Sequence, residues 1–387
     1  NLVTREILSG LPVIRAFSNE KHEEERFEEA NKRLTKVNLF INRAMSFMMP
    51  IMMLVMNFVC LVIVYQGAKG VDTGAMQVGD IMAYIQYTMQ IIMAFLMISM
   101  MSIMLPRANV SAKRIMEVIE TPDTIYNSKN LIDFNPKERG KVEFKNVSFR
   151  YPDADYDVIT DINLVANPGE TTAFIGSTGS GKSTLINLIP RFYDVTDGEL
   201  LVDGVNIKDV DLKQLREKIG FVPQKGVLFT GTIKENIKYG NEKITDKDVN
   251  KALKIAQATE FVSKLKGGVD YDISQGGTNV SGGQKQRLSI ARAIAKDPDI
   301  YVFDDSFSAL DFKTDAKLRG ELAKVTKNKT VLIVAQRIST IMNADKIVVL
   351  DEGNIVGIGT HKELMKNCNV YKEIALSQLS KEELENA

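Results

Sequence analysis

The chain has 387 residues, room for two or three domains and a buried core, and its 49 basic and 49 acidic side chains cancel. That balance gives no sign of a nucleic-acid or strongly acidic partner. Two cysteines, Cys60 and Cys368, exclude a disulfide framework, and two histidines, His22 and His361, leave little for a zinc site or a histidine-based triad.

The chain opens without Met on Asn1-Leu2-Val3-Thr4, already helix-like, as a piece of a longer chain would. From Asn19 to Arg43 the pattern is helical, with Phe27, Ala30, Leu34, Val37 and Ile41 recurring at spacings of three and four. Glu28–Lys32 and Glu29–Arg33 are i,i+4 pairs in the favourable order on a solvated face. Two uncharged stretches follow, about 44–68 and 81–106. Each is longer than the roughly 20 residues that span a bilayer. With the connector Lys69 to Asp80 they predict a membrane hairpin within a partial transmembrane domain, residues 1–120. Arg33, Lys36 and Arg43 flank the entry and Arg107, Lys113 and Arg114 the exit, so both open ends should be cytoplasmic in a multi-pass cell-membrane protein. Pro50 and Asn57 interrupt the first span, where freed or polar groups need a protein neighbour. The many methionines here, among them Met48, Met49, Met52, Met53, Met97, Met100, Met101 and Met104, suit either plain apolar filling or a surface accepting varied apolar ligands.

Residues 121–140, polar and holding Pro122 and Pro136, read as a linker to an α/β domain at 141–387. Val142, Phe144, Val147 and Phe149 suggest a strand ending at Arg150-Tyr151-Pro152; Tyr151 is either an ordinary strand-end residue or a platform for a flat base. Then comes Gly176-Ser177-Thr178-Gly179-Ser180-Gly181-Lys182-Ser183-Thr184, between a strand at Thr172–Ile175 and a helix at Leu185–Ile189. This fits G-x-x-x-x-G-K-[ST] in the setting the motif requires. Glycines let backbone N–H groups turn inward around phosphate oxygens, Lys182 should reach the outer phosphates, and the Ser183 hydroxyl should bind Mg²⁺. The stretch points to a nucleoside triphosphate.

Ile219 to Val222 reads as a strand leading to Gln224, followed by a mainly helical insert to about Asp270. Ser281-Gly282-Gly283-Gln284 opens a helix running through Arg292, another anion-ready N-terminus. Ile300 to Phe303 is a buried strand ending in Asp304 and Asp305, and a strand-end Asp of this kind helps hold Mg²⁺. A further strand, Val331 to Val334, ends at Ala335-Gln336-Arg337.

Together the phosphate loop and Ser281-Gly282-Gly283-Gln284 resemble the ATP-binding cassette proteins, and with the membrane hairpin the ABC exporters. The resemblance covers essentially all of Lys141 to about Leu379. It implies an α-helical membrane hairpin, part of a six-helix exporter domain, followed by an α/β phosphate-loop cassette. It further implies that Tyr151 stacks on adenine, that Gln224 contacts Mg²⁺ and senses the membrane domain, and that Asp304 supports Mg²⁺. Ser308-Ala309-Leu310-Asp311 would cross a dimer interface, and Ser281 to Gln284 would contact ATP held by a partner. Arg5 through Phe17 and Ser111 to Ile115 resemble the regions before the fifth and after the sixth exporter span, so four earlier spans are expected ahead of Asn1.

Two positions depart from the family pattern. Efficient hydrolysers have Glu after the strand-end Asp and His at the later switch, whereas here Asp305 and Gln336 stand. Asp is one methylene shorter, so its carboxylate falls back by about an ångström, and such misplacement can cost on the order of 10²-fold. Gln336 can donate to a phosphate but cannot titrate near neutral pH. The expectation is a heterodimeric exporter of drugs or other amphiphiles whose second half-transporter runs the fast site. A lipid or peptide exporter, or a regulatory subunit that seldom hydrolyses ATP, is the alternative.

Overall fold

The computed structural model describes residues 1–378. Its chain forms two compact units, Asn1–Pro122 and Asp123–Ala387; residues 379–387, the end of the expected cassette range, lie outside the described part.

The first unit holds helices α1 (Leu2–Ala16), α2 (Glu20–Asp72) and α3 (Val78–Ile119). The charged helix and the first apolar stretch are one element: α2 has 53 residues, about 80 Å at 1.5 Å per residue. That far exceeds the ~30 Å hydrocarbon core, so its charged half continues beyond the apolar part. Pro50 and Asn57, read as interruptions, lie inside the unbroken helix. The connector is also shorter than expected, because α2 runs on to Asp72 and α3 starts at Val78, where Gln77 and Asp80 close a capping box. Glu29–Arg33 pairs at 2.6 Å and Glu28–Lys32 at 3.6 Å, while Arg26 reaches Glu6 at 2.6 Å and ties α2 to α1. Gly67 lets α2 and α3 approach closely, since a Cβ there would sit 2.6 Å from Ile81 Cγ1. The apolar side chains of both long helices are largely exposed, as a lipid-facing surface requires.

In the second unit, β1 (Val142–Phe149) pairs antiparallel with β2 (Ile159–Ala166). The predicted apolar positions of β1 are all buried. Their three-residue step from Phe144 to Val147 is a β-bulge, with Asn146 at φ +48° and a register shift against both neighbours. Then come β3 (Thr171–Gly176), α4 (Lys182–Leu188), β4 (Asp197–Val202), β5 (Val205–Asn206), α5 (Leu212–Glu217) and β6 (Ile219–Val222). The insert comprises β7 (Gly231–Thr232), α6 (Ile233–Lys238), α7 (Asp246–Ile255), α8 (Thr259–Lys264) and β8 (Asp272–Ile273). Beyond it lie α9 (Gly282–Ala295), β9 (Ile300–Asp304), α10 (Phe312–Val325), β10 (Thr330–Val334), α11 (Ile338–Ile341), β11 (Lys346–Asp351), β12 (Asn354–Gly359), α12 (His361–Asn367) and α13 (Asn369–Gln378).

Six strands form the central sheet in the order β12-β11-β3-β10-β9-β6, parallel except for β12. Every residue of β9 and β10 is buried, the reading expected for strands covered on both faces. One face packs against the antiparallel sheet β2-β1-β4-β5 and the other against the helices.

Much of the predicted linker is docked. Phe134 packs on the core, the Ile132 amide donates to the Asp209 carbonyl at 2.8 Å, and Arg139 pairs with Asp299 at 2.8 Å. Lys218 bridges Asp203 at 2.8 Å and Asp299 at 3.3 Å, and its ammonium lies 4.8 Å from the Phe134 ring centre. Asp203 is 1% exposed and Asp299 9%, so both need these partners.

Candidate nucleotide-binding site

The phosphate loop begins where β3 runs out at the carboxyl end of the parallel sheet. Gly176 is required sterically: its register partner on β11 is Leu350, and a Cβ would sit 1.9 Å from the Leu350 carbonyl oxygen. Gly181, the residue before α4, lies at φ +90°, a conformation glycine adopts without penalty. Along the loop Ser177, Thr178 and Gly179 are exposed, while Ser180, Gly181 and, just beyond, Thr184 are buried.

Lys182 spends its donors on the loop itself, reaching the Gly176 carbonyl at 3.0 Å, the Ser177 carbonyl at 2.6 Å and Ser180 Oγ at 3.1 Å. Burial pushes its pKa down, opposed by the carboxylates of Asp304 and Asp305. The Ser183 hydroxyl donates to Asp304 Oδ1 at 2.9 Å. Two hard oxygens from the protein, with the remainder left to phosphates and water, is the donor set Mg²⁺ favours. Among the described residues no cluster of three or more His, Cys, Asp or Glu forms a metal cage. Serine and aspartate together therefore fit Mg²⁺, which when bound with a nucleotide would neutralise phosphate charge.

Asp305 follows at φ +44°, its amide donating to the Val334 carbonyl at 2.9 Å. Its Oδ2 accepts from Gln336 Nε2 at 2.7 Å and from Gln224 Nε2 at 3.4 Å. The structure thus brings two amides, from beyond the ends of β6 and β10, onto one carboxylate at the end of β9. Tyr151 stands beside the loop: its hydroxyl lies 3.1 Å from Thr184 Oγ1, and its ring packs edge-on against Phe149 and Tyr193. Ser281 and Gln284 close a capping box at the exposed start of α9, with the Ser281 amide donating to Gln284 Oε1 at 2.8 Å. Gly283 faces the 308–311 segment, where a Cβ would come within 3.3 Å of the Ala309 carbonyl. Sequence reading missed Leu350 and Asp351, which back the loop; Ser177 Oγ lies 3.4 Å from Asp351 Oδ1. No local pattern marks them, because strand pairing alone brings them there.

Burial holds the Asp304 carboxyl above the usual carboxylate range, with Asp305 pushing the same way and Ser183 and Lys182 opposing. An acid whose folded pKa exceeds its unfolded value weakens the fold at any pH above both, so that cost is present at neutral pH. Asp304→Asn should therefore raise the Tm of the nucleotide-free protein at neutral pH. It should also cost about 10–100-fold in Mg²⁺ affinity, the usual toll for removing a group that orients a metal ligand. Thermal melts without nucleotide, and with ATP in the presence and absence of Mg²⁺, read both effects.

A parallel sheet ending in a glycine-lined loop, a serine–aspartate pair and an exposed Ser-Gly-Gly-Gln helix start define a phosphate-loop nucleotide-binding domain, here on a chain with two membrane-length helices. Residues 159–308 match the ABC transporter family and residues 1–95 the ABC transporter transmembrane region. The chain belongs to the ATP-binding cassette transporters, a helical transmembrane region followed by an α/β ABC ATPase domain. The cassette domain implies ATP binding. An uncharacterized ABC transporter ATP-binding protein of Mycobacterium tuberculosis is 44% identical over 381 residues, covering 98% of this chain and 65% of its own length. A Staphylococcus aureus protein named for multidrug export is 38% identical over 371 residues, covering 95% of this chain and 64% of its own. A bacterial Atm1-family ABC exporter solved with ATP bound superposes with a TM-score of 0.84 at 29% identity, covering 98% of this chain and 66% of that one. The chain thus spans about two thirds of the length of these relatives.

Proposed function

We propose that this chain is one subunit of an ATP-driven exporter that works as a heterodimer, holding ATP and Mg²⁺ in a slow site and lending Ser281-Gly282-Gly283-Gln284, its signature, to a faster one. The observation that carries this reading is the hydrogen bond from Gln336 Nε2 to Asp305 Oδ2 at 2.7 Å. An Asp carboxylate paired with a neutral amide makes a slow hydrolytic end, because the short carboxylate sits back from the attacking water and Gln336, although it can hold a phosphate oxygen, cannot take a proton near neutral pH as His would. The signature has no such defect: Ser281 and Gln284 hold each other at the start of a 14-residue helix. In this reading Lys182 and the loop N–H groups hold the phosphates, Ser183, Asp304 and Gln224 support Mg²⁺, and Tyr151 faces adenine. Ser281 to Gln284 complete the partner's site across the dimer. The cassette and both open helix ends are cytoplasmic. Drugs or other small amphiphiles are the cargo best supported, by the multidrug-export name of the staphylococcal relative and the Met-rich spans.

The test is turnover by the full-length protein purified free of any other cassette chain. It should bind ATP yet hydrolyse it at below about 0.1 s⁻¹, some 10²-fold under the ~10 s⁻¹ typical of enzymes. A homomeric preparation that turns over several ATP per second would refute the asymmetry.

A further inference from the structure

Helix α13 ends against the switch segment. The side chain of Gln378 bridges two backbone groups there: its Nε2 donates to the Gln336 carbonyl at 2.7 Å, and its Oε1 accepts from the Ile338 amide at 2.9 Å. One partner is a carbonyl and the other an N–H, and the carboxamide, with an N–H₂ donor and an oxygen acceptor on one group, satisfies both at once. The segment so held is the one whose Gln336 side chain caps Asp305. Between the two clamped residues, Arg337 donates to the Ser308 carbonyl at 3.3 Å and lies 5.0 Å from the Phe312 ring centre. The helix behind the clamp is itself fixed. Tyr371 and Ala375 are fully buried, and the Tyr371 hydroxyl lies 2.7 Å from His361 Nδ1.

We infer that Gln378 is a positioning residue for ATP hydrolysis, setting the backbone from which Gln336 reaches Asp305 and the terminal phosphate. This rests on the reading of Asp305 and Gln336 as the hydrolytic end of the site. The bridge crosses 42 residues of chain, so it makes the position of the switch depend on how α13 is seated. A plain helix-capping role would involve only the bond to Ile338 at the start of α11.

The experiment uses the full-length protein loaded with radiolabelled ATP, comparing single-turnover hydrolysis with ATP affinity and Tm. Gln378→Met keeps the length and removes both bonds; it should slow hydrolysis on the order of tenfold with little change in affinity. Gln378→Glu keeps the acceptor for Ile338 but sets an oxygen against the Gln336 carbonyl. It should hydrolyse as slowly as Gln378→Met while keeping the parent Tm. In a Gln336→Ala background neither change should slow hydrolysis further, since the group being positioned is gone. An equal loss in that background overturns the inference, as does parent-like hydrolysis by Gln378→Glu or by Gln336→Ala alone. Fast homomeric turnover, by contrast, refutes the slow-site reading without touching this coupling.

Discussion

Restoring Glu at position 305 and His at position 336 together should raise ATP hydrolysis at this site by about 10²-fold, the scale of a one-ångström correction in a reacting group. In the present geometry Asp305 Oδ2 is taken by Gln336 at 2.7 Å and approached by Gln224 at 3.4 Å, so the carboxylate faces amides. The added methylene of Asp305→Glu carries the carboxylate outward past those amides, toward the position of an attacking water. Gln336→His supplies a side chain that binds a phosphate oxygen and can carry a proton near neutral pH. The backbone exacts a cost. Asp305 sits at φ +44°, where the short side chains of Asp and Asn are tolerated best. Asp305→Glu alone should therefore cost about 1 kcal/mol of stability while raising turnover; Asp305→Asn should keep the Tm and abolish what hydrolysis remains. Steady-state ATPase assays beside thermal melts separate these effects. Turnover unchanged in the double replacement would place the defect elsewhere in the site.

Gly176→Ala should abolish nucleotide binding. The new methyl would lie 1.9 Å from the Leu350 carbonyl oxygen and 2.8 Å from Ser180 Oγ. The first obstacle is backbone in the paired strand β11, so no side-chain rotation relieves it. Either the loop lifts or β3 and β11 part. Overpacking of this kind costs about 1–3 kcal/mol, or roughly 2–12 °C of Tm at 2–4 °C per kcal/mol for a domain of this size. The functional loss is larger, because Lys182 takes its position from the Gly176 and Ser177 carbonyls that the methyl would displace. Gly179→Ala is the control: nothing lies within 4 Å of a Cβ there, although φ is +88°, so its cost should be confined to the backbone. Isothermal titration with ATP and thermal melts of both variants measure the contrast.

The candidate site residues could be placed on their elements from the sequence because each sits at a strand end or helix start whose local pattern is self-contained. The phosphate loop, Ser281–Gln284 and Asp304–Asp305 are examples, and so is the apolar length of the two membrane helices. The departures at Asp305 and Gln336 are likewise local, visible as a residue type in a known place. Local pattern failed where one element runs into another. Charged and apolar stretches merge into a single α2, since a helix continues until something stops it, and neither a change of polarity nor Pro50 does so. Composition made 121–140 a linker, yet Phe134 and Arg139 find partners in Lys218, the core and Asp299, far along the chain.

What the sequence determined by itself is the inventory: two apolar helices, a phosphate loop, the Ser281–Gln284 helix start, and Asp305 and Gln336 at two strand ends. What the tertiary structure decided is who touches whom across long stretches of chain. Parallel pairing of β3 with β11 sets the Leu350 carbonyl against Gly176, and the seating of α13 brings Gln378 onto residues 336–338. Such contacts follow from the order of strands in the sheet and the packing of its covering helices, which no short window of sequence contains.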